Sequence, residues 1–286
     1  MKHLDLTTAA DLVRRACRPM AAQPTGLAPR LARWPAIKVV LLDVYGTLLV
    51  SASGDIGAAA EGAETEALAR ARSLLAWTDP CPPATALRTL VVQQHARDRA
   101  AGVDVPEVDI RSVWREAFAA SGLAVPPEPR VEALALAYEL MLNPVWPMPG
   151  FPHVLRGLRQ RVRLGLVSNA QFYTPLVLGA LAGSALHELG VENALCAWSY
   201  QQGRAKPSPG LWSPVLHSLC AEGVLPAQIL MVGNDQRKDV EPAARLGLRT
   251  ALFAGDKRSY RPARQADTVV PDAVLTDLAQ LEAMLD

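Results

Sequence analysis

Hydrophobic positions follow different rhythms along the chain. Val39 to Leu42 form an unbroken apolar run that ends in Asp43 and turns at Gly46. That pattern suits a central parallel strand covered on both faces, with its carboxylate at the carboxyl edge of the sheet. From Glu64 to Leu142 apolar residues recur every three or four positions instead. Helices are predicted over Glu64–Trp77, Ala84–Ala101, Ile110–Ala120 and Val131–Leu142, divided by "TDPCPP", "GVDVPEVD" and "SGLAVPPEP". After the prolines of "NPVWPMPG" stop the last of these, strands and helices alternate.

This last region predicts a helix over Pro152–Gln160, the strand "VRLGLVSN", a helix over Pro175–Leu189 and a short strand at Ala197–Tyr200. A helix over Pro209–Cys220, the strand "QILMVGND", a helix over Val240–Leu246, the strand "RTALFAG" and a closing brief strand and helix follow. Such alternation implies parallel βαβ units, an α/β Rossmann-like core. The expected division is an N-terminal extension (1–36), a core of 37–51 with 146–286, and an inserted helical cap over 52–145. Within the extension, a helix over Thr8–Cys17 precedes the Pro- and Gly-containing linker "AAQPTGLAPRLARWP".

Composition narrows the function. Of 286 residues half are apolar, and the net charge is +1 without a block of like charge, so neither nucleic acid nor an anionic membrane is expected as a partner. Cys17, Cys81, Cys196 and Cys220 lack metal or redox-pair spacing, which fits reduced thiols in a cytoplasm. No apolar run reaches the roughly 18–20 residues of a membrane helix. The first residues carry acids and paired arginines where a signal peptide needs an apolar stretch. The expected partner is a small anionic substrate bound locally; the oligomeric state is not legible.

Polar residues sit at four successive strand ends: Asp43 with Thr47, Ser168 with Asn169, Lys206, and Asp235 with Asp239. In a parallel sheet these ends share one edge, so residues distant in sequence converge there. Taken singly each has a plainer explanation. Asp239 could cap the helix beginning at Val240, Ser168-Asn169 could mark a helix start, and Lys206 could be a solvated loop charge. Their co-occurrence favours an active site.

The motifs "DVYGTL", "LVSNA", "AKPSP" and "VGNDQRKD", in that order and with a helical insertion between the first two, resemble those of the haloacid dehalogenase superfamily of aspartate-nucleophile hydrolases. The resemblance implies that Asp43 is the nucleophile, ionised at neutral pH because a carboxylate titrates near 3.9. It implies that Thr47, Ser168 and Asn169 bind an anionic group in the transition state and that Lys206 supplies fixed positive charge. Asp43, Asp235 and the carbonyl of Tyr45 would hold Mg²⁺ through hard oxygen ligands, with Asp239 supporting that shell or Lys206.

Tyr45 stands where the family's phosphatases usually carry a second aspartate as general acid and base, help worth about 10²–10⁴ in rate. The dehalogenases carry an Asp-x-Tyr-Gly-Thr motif like this one, because halide leaves without a proton. The fourth motif points the other way. "GNDQRKD" has the extra acid of Mg²⁺-dependent members, and Asp43, Asp235 and Asp239 together would repel one another without a cation. The charge argument favours a Mg²⁺-dependent phosphatase-type hydrolase. A metal-free 2-haloacid dehalogenase and a catalytically impaired ligand- or protein-binding domain are the alternatives. Lys257, Arg258 and Arg261 in "AGDKRSYR" are a candidate second anion site or a solvated cluster, and the cap with "SASGDIG" is expected to govern specificity.

Overall fold

The computed structural model describes residues 3–53, 63–264 and 268–285. Its centre is a six-stranded parallel sheet of β1 (Val39–Leu42), β4 (Arg163–Ser168), β5 (Val191–Trp198), β6 (Ile229–Gly233), β7 (Arg249–Phe253) and β8 (Ala273–Leu275), in the order β5-β4-β1-β6-β7-β8. All four residues of β1 are buried because both its faces are covered. Val40 and Leu42 face a core shared with the helical insertion, whereas Val39 and Leu41 face α9 (Ser213–Ala221) and α10 (Glu241–Arg245). Full burial of each such side chain contributes about 1.5–3 kcal/mol over exposure. Leu42 pairs with Leu166 on one side and Val232 on the other, so the residues after β1, β4 and β6 emerge at one level.

A second, antiparallel pair, β2 (Leu49–Ser51) with β3 (Val145–Pro147), was not expected from the sequence, where the prolines around 144–149 read only as a helix stop. The pair joins the chain's departure into the insertion to its return. Between them lie α2 (Ala63–Leu74), α3 (Ala84–Ala100), α4 (Ile110–Ala120) and α5 (Glu128–Leu142). Trp114 is fully buried among these helices, edge-on to Tyr138 at 5.6 Å, and so packs the insertion's own interior. Of the loop "SASGDIG", residues 54–57 lie outside the described residues.

The helix predicted to run to Leu189 stops earlier. α7 (Thr174–Ala182) ends at Gly183, whose φ of +68° breaks the helix, and a short 3₁₀ turn follows. β5 in turn is longer than expected. Its half-buried Glu192 and exposed Asn193 hid an eight-residue edge strand, and the residues expected to end it instead turn into α8 (Ser199–Gln202).

The N-terminal segment is fastened at several points, although much of its linker is exposed. α1 (Leu6–Ala16) is capped by Asp5, which accepts from the Thr8 N–H, and buries Ala9, Leu12 and Val13 against α7 of the core and α5 of the insertion. The linker then crosses the core, where Arg30 bridges Val274 on the edge strand β8 and the Trp34 N–H donates to the Met284 carbonyl. Among the described residues no helix is long and apolar enough to cross a membrane.

Candidate active site

Asp43 follows β1 directly, and its own N–H donates to the Val232 carbonyl at 2.9 Å, which ties it to β6. Its Oδ1 accepts from Lys206 Nζ at 2.5 Å and from Ser168 Oγ at 3.0 Å. Lys206 Nζ also donates to Asp239 Oδ1 at 2.6 Å and to the Val167 carbonyl at 3.1 Å, which uses all three ammonium donors. The lysine is held from its backbone as well, since its N–H donates to Asn169 Oδ1 at 2.7 Å. Ser168, Asn169, Lys206, Asp235 and Asp239 therefore meet around Asp43.

The remaining carboxylate oxygens are unequally engaged. Asp239 Oδ2 accepts from the Asp235 N–H at 3.0 Å, so both oxygens of Asp239 are used within the protein. Asp235 caps the π-helical turn Gln236–Val240, accepting through Oδ1 from the N–H groups of Arg237 and Lys238. Among the described residues Asp43 Oδ2 and Asp235 Oδ2 have no hydrogen-bond partner. Asp239 thus supports Lys206 and Asp235 rather than capping a helix at Val240.

Burial sets the electrostatics. It pushes the Asp239 carboxyl up to about 7, Asp43 adding to the effect and Lys206 opposing it. For Lys206 burial works against the charge, but Asp239 and Asp43 outweigh it and hold the ammonium above the ordinary lysine range. A buried cation shared by two carboxylates is a costly arrangement that only good geometry sustains.

Thr47 and Tyr45 are placed differently from what their positions in the motif suggest. Thr47 is fully buried and donates its hydroxyl to Asn234 Oδ1 at 3.1 Å, while Asn234 donates to the Ser259 carbonyl. It orients Asn234, which lines the cleft and was not singled out in the sequence although it adjoins Asp235 in "VGND". The Tyr45 hydroxyl meets Thr174 Oγ1 at 3.0 Å, on the side of α7 and the insertion. Burial first, then the Glu139 carboxylate, push its phenol far above the ordinary tyrosine value, so it is a poor proton donor. Gly46 between them is required: at its φ of +87° a Cβ would lie 2.5 Å from Ser259 Cβ.

The basic loop after β7 is divided. Arg258 turns inward to the Asp256 carboxylate and the Ala21 carbonyl, Lys257 is exposed, and Arg261 lines the cleft beside Lys238. The cleft encloses only about 30 Å³, the room of a water or an ion. The donors facing it, two carboxylates with a free oxygen each beside the start of the Tyr45–Gly46 turn, are of the hard-oxygen type that suits Mg²⁺.

A haloacid dehalogenase-like hydrolase family model matches residues 37–247. Among solved structures, a 2-haloacid dehalogenase from Pseudomonas syringae is 22% identical and superposes with a TM-score of 0.56, over 87% of this chain and 98% of that one. A putative HAD-hydrolase from Bacillus subtilis bound to magnesium is 17% identical with a TM-score of 0.50, over 87% and 99%. An L-2-haloacid dehalogenase from Xanthobacter autotrophicus with chloropropionic acid covalently bound is 20% identical with a TM-score of 0.51, over 87% and 98%. These likenesses establish the fold. No curated protein matches the sequence.

Proposed function

This chain belongs to the haloacid dehalogenase-like hydrolases, and on that premise we propose that it is a Mg²⁺-dependent phosphoryl hydrolase acting on a small metabolite through a covalent intermediate on Asp43. The observation that carries the reading is the pair of carboxylate oxygens, Asp43 Oδ2 and Asp235 Oδ2, without partners among the described residues and beside an acid whose oxygens are both engaged. Asp235 through Oδ2 and the Tyr45 carbonyl, with the Asp43 oxygen that does not attack phosphorus, would hold the ion, which when bound would supply positive charge to the phosphoryl oxygens, while Asp43 Oδ2 is kept for the attack.

The chain's own groups account for the rest. Lys206 and Ser168 fix Oδ1 of Asp43 and so aim Oδ2 at the substrate phosphorus. The Oδ2–P bond forms as the bond from phosphorus to the leaving oxygen breaks, and the electron pair departs with that oxygen. Water then cleaves the acyl phosphate, regenerating the Asp43 carboxylate and releasing inorganic phosphate, with its proton passing to solvent. Lys206, Ser168 and Asn169 border the phosphoryl group, and its charge is met by Lys206 and by the cleft-lining Lys238 and Arg261.

Tyr45 gives the reading its specificity. Because its hydroxyl is engaged by Thr174 and its pKa is raised, no side chain at this position protonates the leaving oxygen. Substrates whose leaving group departs as a stable anion should therefore be turned over, and simple alkyl phosphates should be slower by about the 10²–10⁴ that acid catalysis supplies.

Two observations favour a second reading, metal-free dehalogenation. Lys206 already neutralises Asp43 directly at 2.5 Å, and a structural neighbour carries chloropropionic acid covalently bound. Turnover of acetyl phosphate, propyl phosphate and 2-chloropropionate, each with Mg²⁺ and with EDTA, separates the two. Mg²⁺-dependent release of phosphate from acetyl phosphate in preference to propyl phosphate is expected. Chloride release from 2-chloropropionate in EDTA, without any phosphate release, would replace the phosphoryl reading.

A further inference from the structure

The catalytic cleft encloses too little space for the body of a substrate. Two larger cavities lie near enough to be considered. One, about 360 Å³, is lined by the insertion and by Gln171 and Tyr173, and shares no lining residue with the cleft. The other, about 980 Å³, lies between the Pro207–Pro209 loop, α10 and the loop 261–264, and it shares Asp235, Lys238 and Arg261 with the cleft. The second is the one continuous with the chemistry.

Its walls are basic in a protein otherwise near neutrality. Arg237, Arg245 and Arg261 line it together with Lys238 and Arg264, against the acids Asp235 and Glu241. Arg245 spends only Nη2 on Glu241, at 2.7 Å, and its side chain is 71% exposed, so the pair is weak and its other donors remain for an anion. Arg261 bonds the carbonyls of Arg258 and Tyr260, which are neutral acceptors, and among the described residues neither Arg261 nor Arg237 has an acidic partner. Pro207, Pro209, Pro242 and Pro262 supply rigid apolar surface between these charges. Such a wall recognises an anion carried beyond the reacting phosphorus, and guanidinium groups match phosphate oxygens well.

We propose that this cavity binds an anionic leaving group, so that the substrate class is a phosphoanhydride: a phosphoryl group in the Asp43 cleft joined through oxygen to a second phosphate held by Arg237, Arg245 and Arg261. The inference rests on the phosphoryl-hydrolase reading and gives it a substrate class. It also accounts for the missing proton donor. When the P–O bond to the second phosphate breaks, the electron pair stays on a phosphate oxygen, a stable anion that leaves without protonation, and arginine charge stabilises it as it forms.

The test uses the full-length Asp43→Asn protein, which holds ligands without turning them over, titrated calorimetrically with inorganic pyrophosphate and with inorganic phosphate in one buffer. Pyrophosphate should bind at least about tenfold more tightly. Adding Arg237→Ala with Arg245→Ala should remove that margin, while Lys257→Ala, outside the cavity, should keep it. Equal affinities for the two anions, or a margin that survives loss of both arginines, would overturn the inference. In the protein with Asp43 intact, the ratio of kcat/KM for pyrophosphate to that for acetyl phosphate should fall about tenfold in the double variant. An arginine-dependent pyrophosphate margin without any phosphoryl turnover would keep the cavity's assignment and reject the hydrolase reading. Turnover of acetyl phosphate without the margin would do the reverse.

Discussion

Two buried carboxylates, Asp43 at the end of β1 and Glu132 on α5, look alike by burial and by cationic company, and they differ in one respect. Glu132 is 1% exposed; its Oε1 meets His3 Nδ1 at 2.9 Å and Arg111 Nη1 at 3.4 Å, and its Oε2 accepts from the Leu4 N–H at 2.6 Å. Both of its oxygens are consumed. Asp43, 6% exposed, spends Oδ1 on Lys206 and Ser168 and keeps Oδ2 facing a cleft. A buried acid whose lone pairs are all taken is a fastener, here of the N-terminal segment to the insertion. One with an oxygen to spare is placed for chemistry. His3, Glu128 and Glu132 do bring ligand atoms within 4.8 Å of one another, but Arg111 on Glu132 and Arg115, whose Nη1 reaches both oxygens of Glu128, already engage the acids.

The contrast is broken most directly at Asp43 itself. Asp43→Asn should abolish turnover of every substrate while the melting temperature holds or rises, because a charge is removed from a crowded cluster; residual turnover would end the covalent mechanism. Lys206→Met is expected to abolish turnover too, but at a cost of about 3–5 kcal/mol, since two carboxylates are left buried without their shared cation. Denaturant unfolding would show this, and a stability unchanged from wild type would mean that the cluster relaxes with solvent.

Glu132→Ala should do the opposite of Asp43→Asn. It leaves the buried Leu4 N–H without its acceptor and removes the weaker of two carboxylate partners of Arg111, which keeps Asp109, a loss of about 1–3 kcal/mol, with kcat for acetyl phosphate little changed. A collapse of kcat at unchanged stability would show that the fastening of the N-terminal segment governs the site. Tyr45→Phe has the smallest expected effect, about 0.5–1.5 kcal/mol for the bond to Thr174, with turnover within about twofold because no proton transfer is assigned to the hydroxyl. A rate loss of 10² or more would make Tyr45 a proton donor after all. Tyr45→Asp is a poorer probe, since it buries a second carboxylate near Glu139 and tests folding before catalysis.

The insertion reaches the site through a surface that no periodicity announces. The loop between α3 and α4 docks on the segment that carries Lys206. There the Ala205 N–H donates to the Val105 carbonyl at 2.8 Å, Ser208 Oγ donates to Asp104 at 2.9 Å, and Ser199 Oγ donates to Glu107 at 2.9 Å. These are contacts between residues about 100 positions apart, made by one backbone pair and two serine hydroxyls that in sequence read as ordinary loop. The same limit applies to Asn234 and Thr174, whose roles depend on which distant hydroxyl they meet.

What the sequence determined by itself was the periodic part. The apolar run of Val39–Leu42, the three-and-four spacing from Glu64 to Leu142 and the later alternation specify a doubly covered parallel sheet with a helical insertion, because burial of apolar faces depends on local period alone. It also placed Asp43, Ser168, Asn169, Lys206, Asp235 and Asp239 on one edge. Tertiary structure alone decided which oxygens of these acids are spent and which are free, that Thr47 serves Asn234, and that Tyr45 turns toward Thr174. It alone also set the cleft against a basic cavity built from three separated loops. Those are matters of hydrogen-bond partner and distance between residues remote in the chain, and a one-dimensional pattern carries no distances.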